Sequence, residues 1–361
     1  MKVIFFVTGL DSGGLENYLL RFLQFKASAF SAVEVYCKSG RGGQLEPDYL
    51  KIPNVTIIKK RISFFKVSDY IFLKKYFERG KYDCICDFTG NFAGIILWMA
   101  SLANVKSRLV FYRGASDHFS KTLFKSAYNS FVKKLTYKYA TSILSNSQAA
   151  FDYFFGEKKM DKRFEVIHNG IDSTKFLISK TSLRKEFQIP QEVFLVGHTG
   201  RFNYAKNHKT ILEVAYNLVS KYKDIYFFLC GNGVKSNLET TIKSMGIESR
   251  VVLSENRSDI PEVLNALDVY FFPSITEGQP NALIEAMLVG LPIVASNIAP
   301  IKETVLSEDY LFNFDDVYGF QAAIEEIYID KKPRDKEMQG RAMKKFDHKE
   351  RFEQFYNRII L

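Results

Sequence analysis

Short apolar runs rich in Val, Ile, Phe and Tyr alternate with segments of helical period along this chain, in two successive series. A strand that is apolar throughout, rather than at every second position, must be covered on both faces, and the helical segments between strands are what cover it. The first series is expected at 2–8, 33–37, 55–58, 83–86, 108–112, 141–145 and 164–167, and the second at 193–198, 225–230, 250–253, 268–272 and 292–295. Repeated strand–helix–strand units give parallel sheets, so the fold class is α/β with two Rossmann-like halves. The boundary is expected between His168 and Lys180, giving domains at 1–170 and 171–339. A chain of 361 residues, 47% hydrophobic and 15% aromatic, can bury two separate cores. Residues 336–361 read as a charged helical tail, and no tandem repeat or low-complexity tract interrupts the pattern.

Charge is divided unequally between the halves. Residues 1–170 hold 26 Lys and Arg against 14 Asp and Glu, whereas residues 171–361 hold 24 against 26. The first half is therefore expected to meet an anionic partner. No stretch reaches the roughly 18 consecutive apolar residues that a membrane span requires, and 92–100 has only the length of a buried helix. The opening run lacks the small-residue cleavage site of a leader and is expected as a first strand. Cys37, Cys84, Cys86 and Cys230 all fall in strand-like runs, where a free thiol behaves as a small buried hydrophobe, and this predicts a reducing, cytoplasmic setting. Cys84-x-Cys86 has no second Cys or His pair nearby, so a metal site is not expected there.

The chemistry concentrates in loops at strand ends. Glu277-Gly278-Gln279-Pro280-Asn281-Ala282-Leu283-Ile284-Glu285 joins the strand at 268–272 to a helix expected from Ala282 to Val289, with Asn281 as its cap and Glu285 in its first turn. Unpaired N–H groups and the positive end of a helix dipole meet a ligand there, and a diphosphate suits them. Carboxylates alone would repel a diphosphate, so Glu277 and Glu285 are assigned to vicinal hydroxyls, one set on a sugar and one on a ribose. Gly278, Gln279, Asn281, Ala282 and Leu283 complete this donor-binding loop. Arg201 and Lys206 follow the first strand of the second series, where cations would neutralise the diphosphate and stabilise the charge that grows on it as a glycosidic bond breaks. The chain contains no Asp-x-Asp, the carboxylate pair that ordinarily holds a divalent ion against a nucleotide diphosphate, so neither metal nor other cofactor is expected. Gly13 and Gly14 lie in the loop after the first strand, where glycine lets backbone approach a ligand closely. The spacing there is not G-x-G-x-x-G, and the second strand ends without an acid for an adenosine ribose, which disfavours a dinucleotide.

Three of these segments carry a family resemblance. Phe272-Pro273-Ser274, the loop from Glu277 to Glu285, and Gly290-Leu291-Pro292-Ile293-Val294-Ala295-Ser296 resemble the signature of family 4 retaining glycosyltransferases of the bacterial surface-polysaccharide type. Gly200-Arg201-Phe202 with Lys206-Asn207-His208 resembles the Arg and Lys pair these enzymes place on the donor diphosphate, and Val166-Ile167-His168-Asn169-Gly170-Ile171-Asp172 resembles their interdomain linker. The resemblance implies the GT-B architecture: two Rossmann-like domains facing a central cleft, with a C-terminal helix, here about 340–361, crossing back to the first domain. It also implies that the Gly13–Gly14 loop closes over donor phosphate and acceptor, and that the anomeric configuration is retained. One departure is evident. Family members of this branch often carry a His just past the strand that corresponds to 108–112, whereas this chain has Arg113-Gly114-Ala115-Ser116-Asp117-His118. Arg113 is a candidate contact for phosphate or an acceptor carboxylate, and His118 for the polar group near the anomeric carbon; a plain loop role stands open for both.

Between His118 and Phe151 there are Lys at 121, 125, 133, 134 and 138 and no acid. Leu123, Ala127, Phe131 and Leu135 recur near helical spacing, which suits either the headgroup region of an anionic membrane or a core-facing helix with a solvated basic side. Nucleic acid is not expected, since no nucleic-acid module is present. Two function classes follow. The first is a metal-independent transferase moving a sugar from a nucleotide donor, a UDP-sugar by expectation, to a lipid-linked or saccharide acceptor at the inner face of the membrane. The second is a non-transferase sugar-nucleotide protein on the same fold, an epimerase or a catalytically silent binding subunit.

Overall fold

The computed structural model describes residues 1–63, 66–114, 123–156, 161–177, 183–307 and 310–361. They form two compact units, Met1–Gly170 with His348–Leu361, and Ile171–Asp347. In the first unit, β1 (Lys2–Val7), β2 (Ala32–Cys37), β3 (Val55–Lys59), β4 (Cys84–Asp87), β5 (Ser107–Tyr112), β6 (Ser142–Ser145) and β7 (Phe164–Val166) make one parallel sheet in the order 3-2-1-4-5-6-7. In the second, β8 (Phe194–Thr199), β9 (Ile225–Cys230), β10 (Val251–Ser254), β11 (Val269–Phe272), β12 (Ile293–Ser296) and β13 (Leu311–Phe312) are parallel in the order 10-9-8-11-12-13. Both are doubly wound Rossmann-like sheets of the GT-B class. The chain reverses its direction of growth between β1 and β4 in one unit and between β8 and β11 in the other, and loops at the carboxyl ends of those strands diverge to leave room for ligands.

Alternate residues of each central strand enter different cores, which is why these strands are apolar throughout. Val3, Phe5 and Val7 of β1 pack into one cluster while Ile4 and Phe6 pack into another. Likewise Tyr270 and Phe272 of β11 face one side and Val269 and Phe271 the other. Cys84 and Cys86 share a face of β4 within the first unit's apolar core, and all four thiols are free and buried. Among the described residues no cluster of three metal-ligating side chains occurs, and no helix is long and apolar enough to cross a membrane.

Three features differ from the sequence reading. The two-residue β13 was not expected. The charged tail is two helices, Lys336–Lys345 in the second unit and His348–Ile360 in the first, so the returning segment begins at His348 rather than about 340. The helix Leu123–Tyr139 buries Val132 and Thr136, not the Ala127–Phe131 stripe. Its packing partner is the helix Gly94–Leu102, whose Gly94 lies so near the Val132 carbonyl oxygen that a Cβ would stand 2.1 Å from it. Ala127, Phe131, Lys134 and Lys138 face outward together, Phe131 being 49% exposed, whereas Lys133 is half-buried with its Nζ 5.4 Å from the Phe155 ring. Lys121 and the side chain of Lys125 lie outside the described residues.

Candidate functional site

In the second unit the loops after β8 and β11 meet at the point where the strand order reverses. Asn207 holds them there. Its backbone is left-handed (φ 55°, ψ 45°), and its side-chain amide donates to the carbonyls of Pro273 at 3.0 Å and Phe314 at 2.7 Å, joining the loops that follow β8, β11 and β13. The Ile275 N–H donates to the Ala205 carbonyl at 2.8 Å and completes the tie. On this frame Lys206 Nζ donates to Glu277 Oε1 at 2.6 Å and lies 4.5 Å from the Phe272 ring centre. The pair is 15% and 13% exposed, close enough to solvent for a ligand to reach yet sheltered enough for the charges to act strongly. Arg201 is exposed and makes no ion pair among the described residues.

The helix Asn281–Leu288 begins one residue earlier than the sequence suggested. Pro280, not Asn281, is its cap: the Pro280 carbonyl accepts from the N–H groups of Leu283 and Ile284, both at 3.2 Å. Asn281 is therefore the first helical residue, and Glu285 falls in the second turn. Leu283, expected at the donor, is a core residue with no exposed surface. Gln279 is nearly buried, while Gly278, Asn281, Ala282 and Glu285 are half-buried. Glu277 and Glu285 share Tyr270 as a neighbour on which their charges act. Burial pushes the Tyr270 hydroxyl titration far up, and the negative charges of Glu285 and Glu277 add to that shift. Tyr270 is fixed by Thr199, whose Oγ1 is 2.8 Å from the phenol oxygen.

Beneath the cation lie two residues that sequence reasoning left without a role. His198 has Nδ1 3.0 Å from the Phe271 carbonyl; a carbonyl only accepts, so Nδ1 carries the proton and Nε2 is bare. His208 opens the helix His208–Lys221, its ring 5.4 Å from that of His198. Burial, and then the charge of Lys206, push His208 down to about 4; burial and then His208 hold His198 well below the usual histidine range. Both rings are neutral near pH 7. The available signal was a histidine at the end of an apolar strand, with another ten residues later at a helix start.

In the first unit Gly13 caps the helix Gly14–Lys26 in an extended conformation without a side-chain cap, and a Cβ on Gly14 would meet nothing within 4 Å. Arg113 follows β5 with its guanidinium carbon 3.7 Å from the Tyr18 ring centre. His118 lies outside the described residues.

Comparison with known proteins agrees with this fold. Residues 179–345 match the family described as Glycosyl transferases group 1, and residues 12–175 match Glycosyltransferase Family 4. The Escherichia coli UDP-Gal:alpha-D-GlcNAc-diphosphoundecaprenol alpha-1,3-galactosyltransferase is 32% identical over 181 residues, covering 47% of this chain and 46% of that protein. The Staphylococcus aureus capsular polysaccharide biosynthesis glycosyltransferase CapH is 26% identical over 84% of this chain and 83% of its own. The chain spans about half the length of the first curated relatives it matches. In fold it is similar to Anabaena HepE, crystallised with UDP and glucose, at a TM-score of 0.81 and 20% identity over 99% of this chain and 98% of that one. With two family descriptions following one another across both units, residues 12–175 and 179–345, the chain belongs to the family 4 glycosyltransferases.

Proposed function

We propose that this protein is a retaining glycosyltransferase that moves a sugar from a UDP-sugar to a lipid-linked or saccharide acceptor in surface-polysaccharide assembly. The observation that carries the reading is the Lys206–Glu277 ion pair at the strand-order reversal between β8 and β11, beside Tyr270, on whose hydroxyl the charge of Glu285 also acts. An ammonium has three N–H donors, so Lys206 can keep Glu277 in place with one and meet a diphosphate oxygen with another. Arg201 adds a second cation for the leaving group, and together they offset the charge that develops as the glycosidic bond breaks. Glu285 accepts ribose hydroxyls and Glu277 those of the transferred sugar. With cations in this role no metal is needed. The Escherichia coli relative is named for a UDP-Gal donor and a diphosphoundecaprenol-linked acceptor, which supports the donor and acceptor classes, and the Staphylococcus aureus relative is named for capsular polysaccharide biosynthesis.

Separate replacement of the two carboxylates tests the assignment. Glu285→Gln should weaken UDP binding itself, whereas Glu277→Gln should leave UDP affinity nearly intact and lower turnover of the full donor; equal loss of UDP affinity in both would overturn it. UDP release should also persist in excess chelator, and activity restored only by added magnesium or manganese would count against the metal-free reading.

A lipid-linked acceptor would put the protein at the inner face of a membrane. The outward row of Phe131, Lys134 and Lys138 supports that contact: each Lys near an anionic surface contributes about 1 kcal/mol. Binding to acidic phospholipid vesicles should be lost at about 1 M salt, where the Debye length is about 3 Å, and in the double variant Lys134→Glu, Lys138→Glu. Sedimentation of that variant equal to the parent's would exclude this face.

A further inference from the structure

Arg113 stands at the carboxyl end of β5 with its guanidinium stacked 3.7 Å from the Tyr18 ring centre and 5.0 Å from that of Phe111. Its Nε and Nη1 are buried and meet no acceptor, although the residue as a whole stays partly exposed. Two aromatic rings thus flank the guanidinium, and no carboxylate among the described residues pairs with it directly. The surroundings reinforce the positive potential. Arg21 adds its charge, Glu16 offsets part of it, and Tyr18 and Arg21 both stand on the helix whose uncapped N-terminus is at Gly13 and Gly14. A Cβ at Gly14, one turn before Tyr18, would touch nothing within 4 Å among the described residues. Burial lowers the Arg113 titration to about 10, as expected where desolvation of a cation is not repaid by a partner.

Buried guanidinium N–H groups that meet no acceptor are costly, and retaining the planar fork makes physical sense where an oxyanion completes it. We infer that Arg113 is a recognition residue for a carboxylate or phosphate carried by the sugar substrate, so that the enzyme selects an acidic donor or acceptor over its neutral counterpart. This deepens the transferase reading and rests on it. A hydroxyl would leave the charge uncompensated, whereas an oxyanion satisfies both charge and N–H groups.

Titration calorimetry on the full chain distinguishes the two sources of the anion. One arm compares UDP-glucuronate with UDP-glucose; the other compares glucuronate and glucose 1-phosphate with glucose on the UDP-loaded protein. In at least one arm the acidic probe should bind the parent about tenfold or more tightly than the neutral one, the effect of one charge-assisted contact. Arg113→Gln should abolish that preference, and Arg113→Lys, which keeps charge but not the fork, should restore part of it. The melting temperature of Arg113→Gln should equal or exceed the parent's, because an unpaired buried charge has been removed. Equal binding of acidic and neutral probes by the parent in both arms, an unchanged preference in Arg113→Gln, or a fall in melting temperature with no change in preference would each overturn the inference. Failure of UDP itself to bind the parent would instead sink the transferase reading, so the two failures are told apart.

Discussion

His198 and His208 make the second unit sensitive to acid. Unfolded, an imidazole titrates near 6.5; folded, His208 is held down to about 4 by burial and Lys206, and His198 lower still by burial and His208. Above about pH 6.5 both states are neutral and nothing is lost. Between 6.5 and 4 the unfolded chain binds protons that the folded one refuses, so stability falls as pH falls, by up to about 1.4 kcal/mol per pH unit for each histidine. The urea midpoint of the second unit should therefore drop from pH 7 to pH 5, and His208→Phe, which keeps an aromatic ring against Phe202 and His198, should flatten that slope. An unaltered slope would mean that His208 titrates normally. These two residues were hardly legible in the sequence, because a buried neutral histidine leaves no pattern there. That Lys206 and Glu277 sit in the loops after β8 and β11 was legible, because those loops follow strongly apolar strands, but their ion pair with each other was not. Leu283 was misread because the cap was placed one residue late: Pro280 has no side-chain acceptor, yet its carbonyl takes the first helical bonds.

At the scale of elements, the donor helix Asn281–Leu288 is anchored from its far end. Arg334 donates to the carbonyls of Asn265 at 2.8 Å, Leu267 at 3.1 Å and Val289 at 3.2 Å, closing the C-termini of this helix and of Ile260–Ala266 with one guanidinium. Arg334→Ala should destabilise the second unit by roughly 3 kcal/mol, since several buried carbonyls lose a charged donor at once. It should also weaken UDP binding without touching any ligand group, and an Arg334→Ala protein that melts with the parent would refute the anchoring role. The β–α alternation gave nearly every strand, because two-sided burial writes itself as continuous hydrophobicity. It missed β13, whose two residues are too few to carry a period. It also merged the two tail helices, since the break at Phe346–Asp347 contains neither Gly nor Pro and arises from a tertiary bond, the Ile171 N–H to the Phe346 carbonyl at 2.9 Å. Periodicity alone could not orient the 123–139 helix either, because the close approach at Gly94 decides which face is covered.

On the scale of the whole molecule, the helix His348–Ile360 belongs to the first unit although nearly two hundred residues separate it from the rest of that unit. Phe352, Phe355 and Ile359 are fully or almost fully buried among Phe5, Tyr18, Phe22, Phe88 and Phe111. At about 1.5–3 kcal/mol for each buried side chain, their removal costs an amount comparable with the whole stability of a typical domain. A chain ending at Asp347 should therefore show the second unit's unfolding transition alone in calorimetry, and a retained first-unit transition would refute this. The same connectivity inverts the usual order of maturation during synthesis. The residues that open the chain leave the ribosome first but lack their last packing layer until position 359 has emerged, a wait of about 10–40 s at ordinary elongation rates. Ile171–Asp347 is complete before that, so the second unit can be finished while the first is still open, and every newly made molecule passes through a window in which nascent-chain binders have apolar surface to hold.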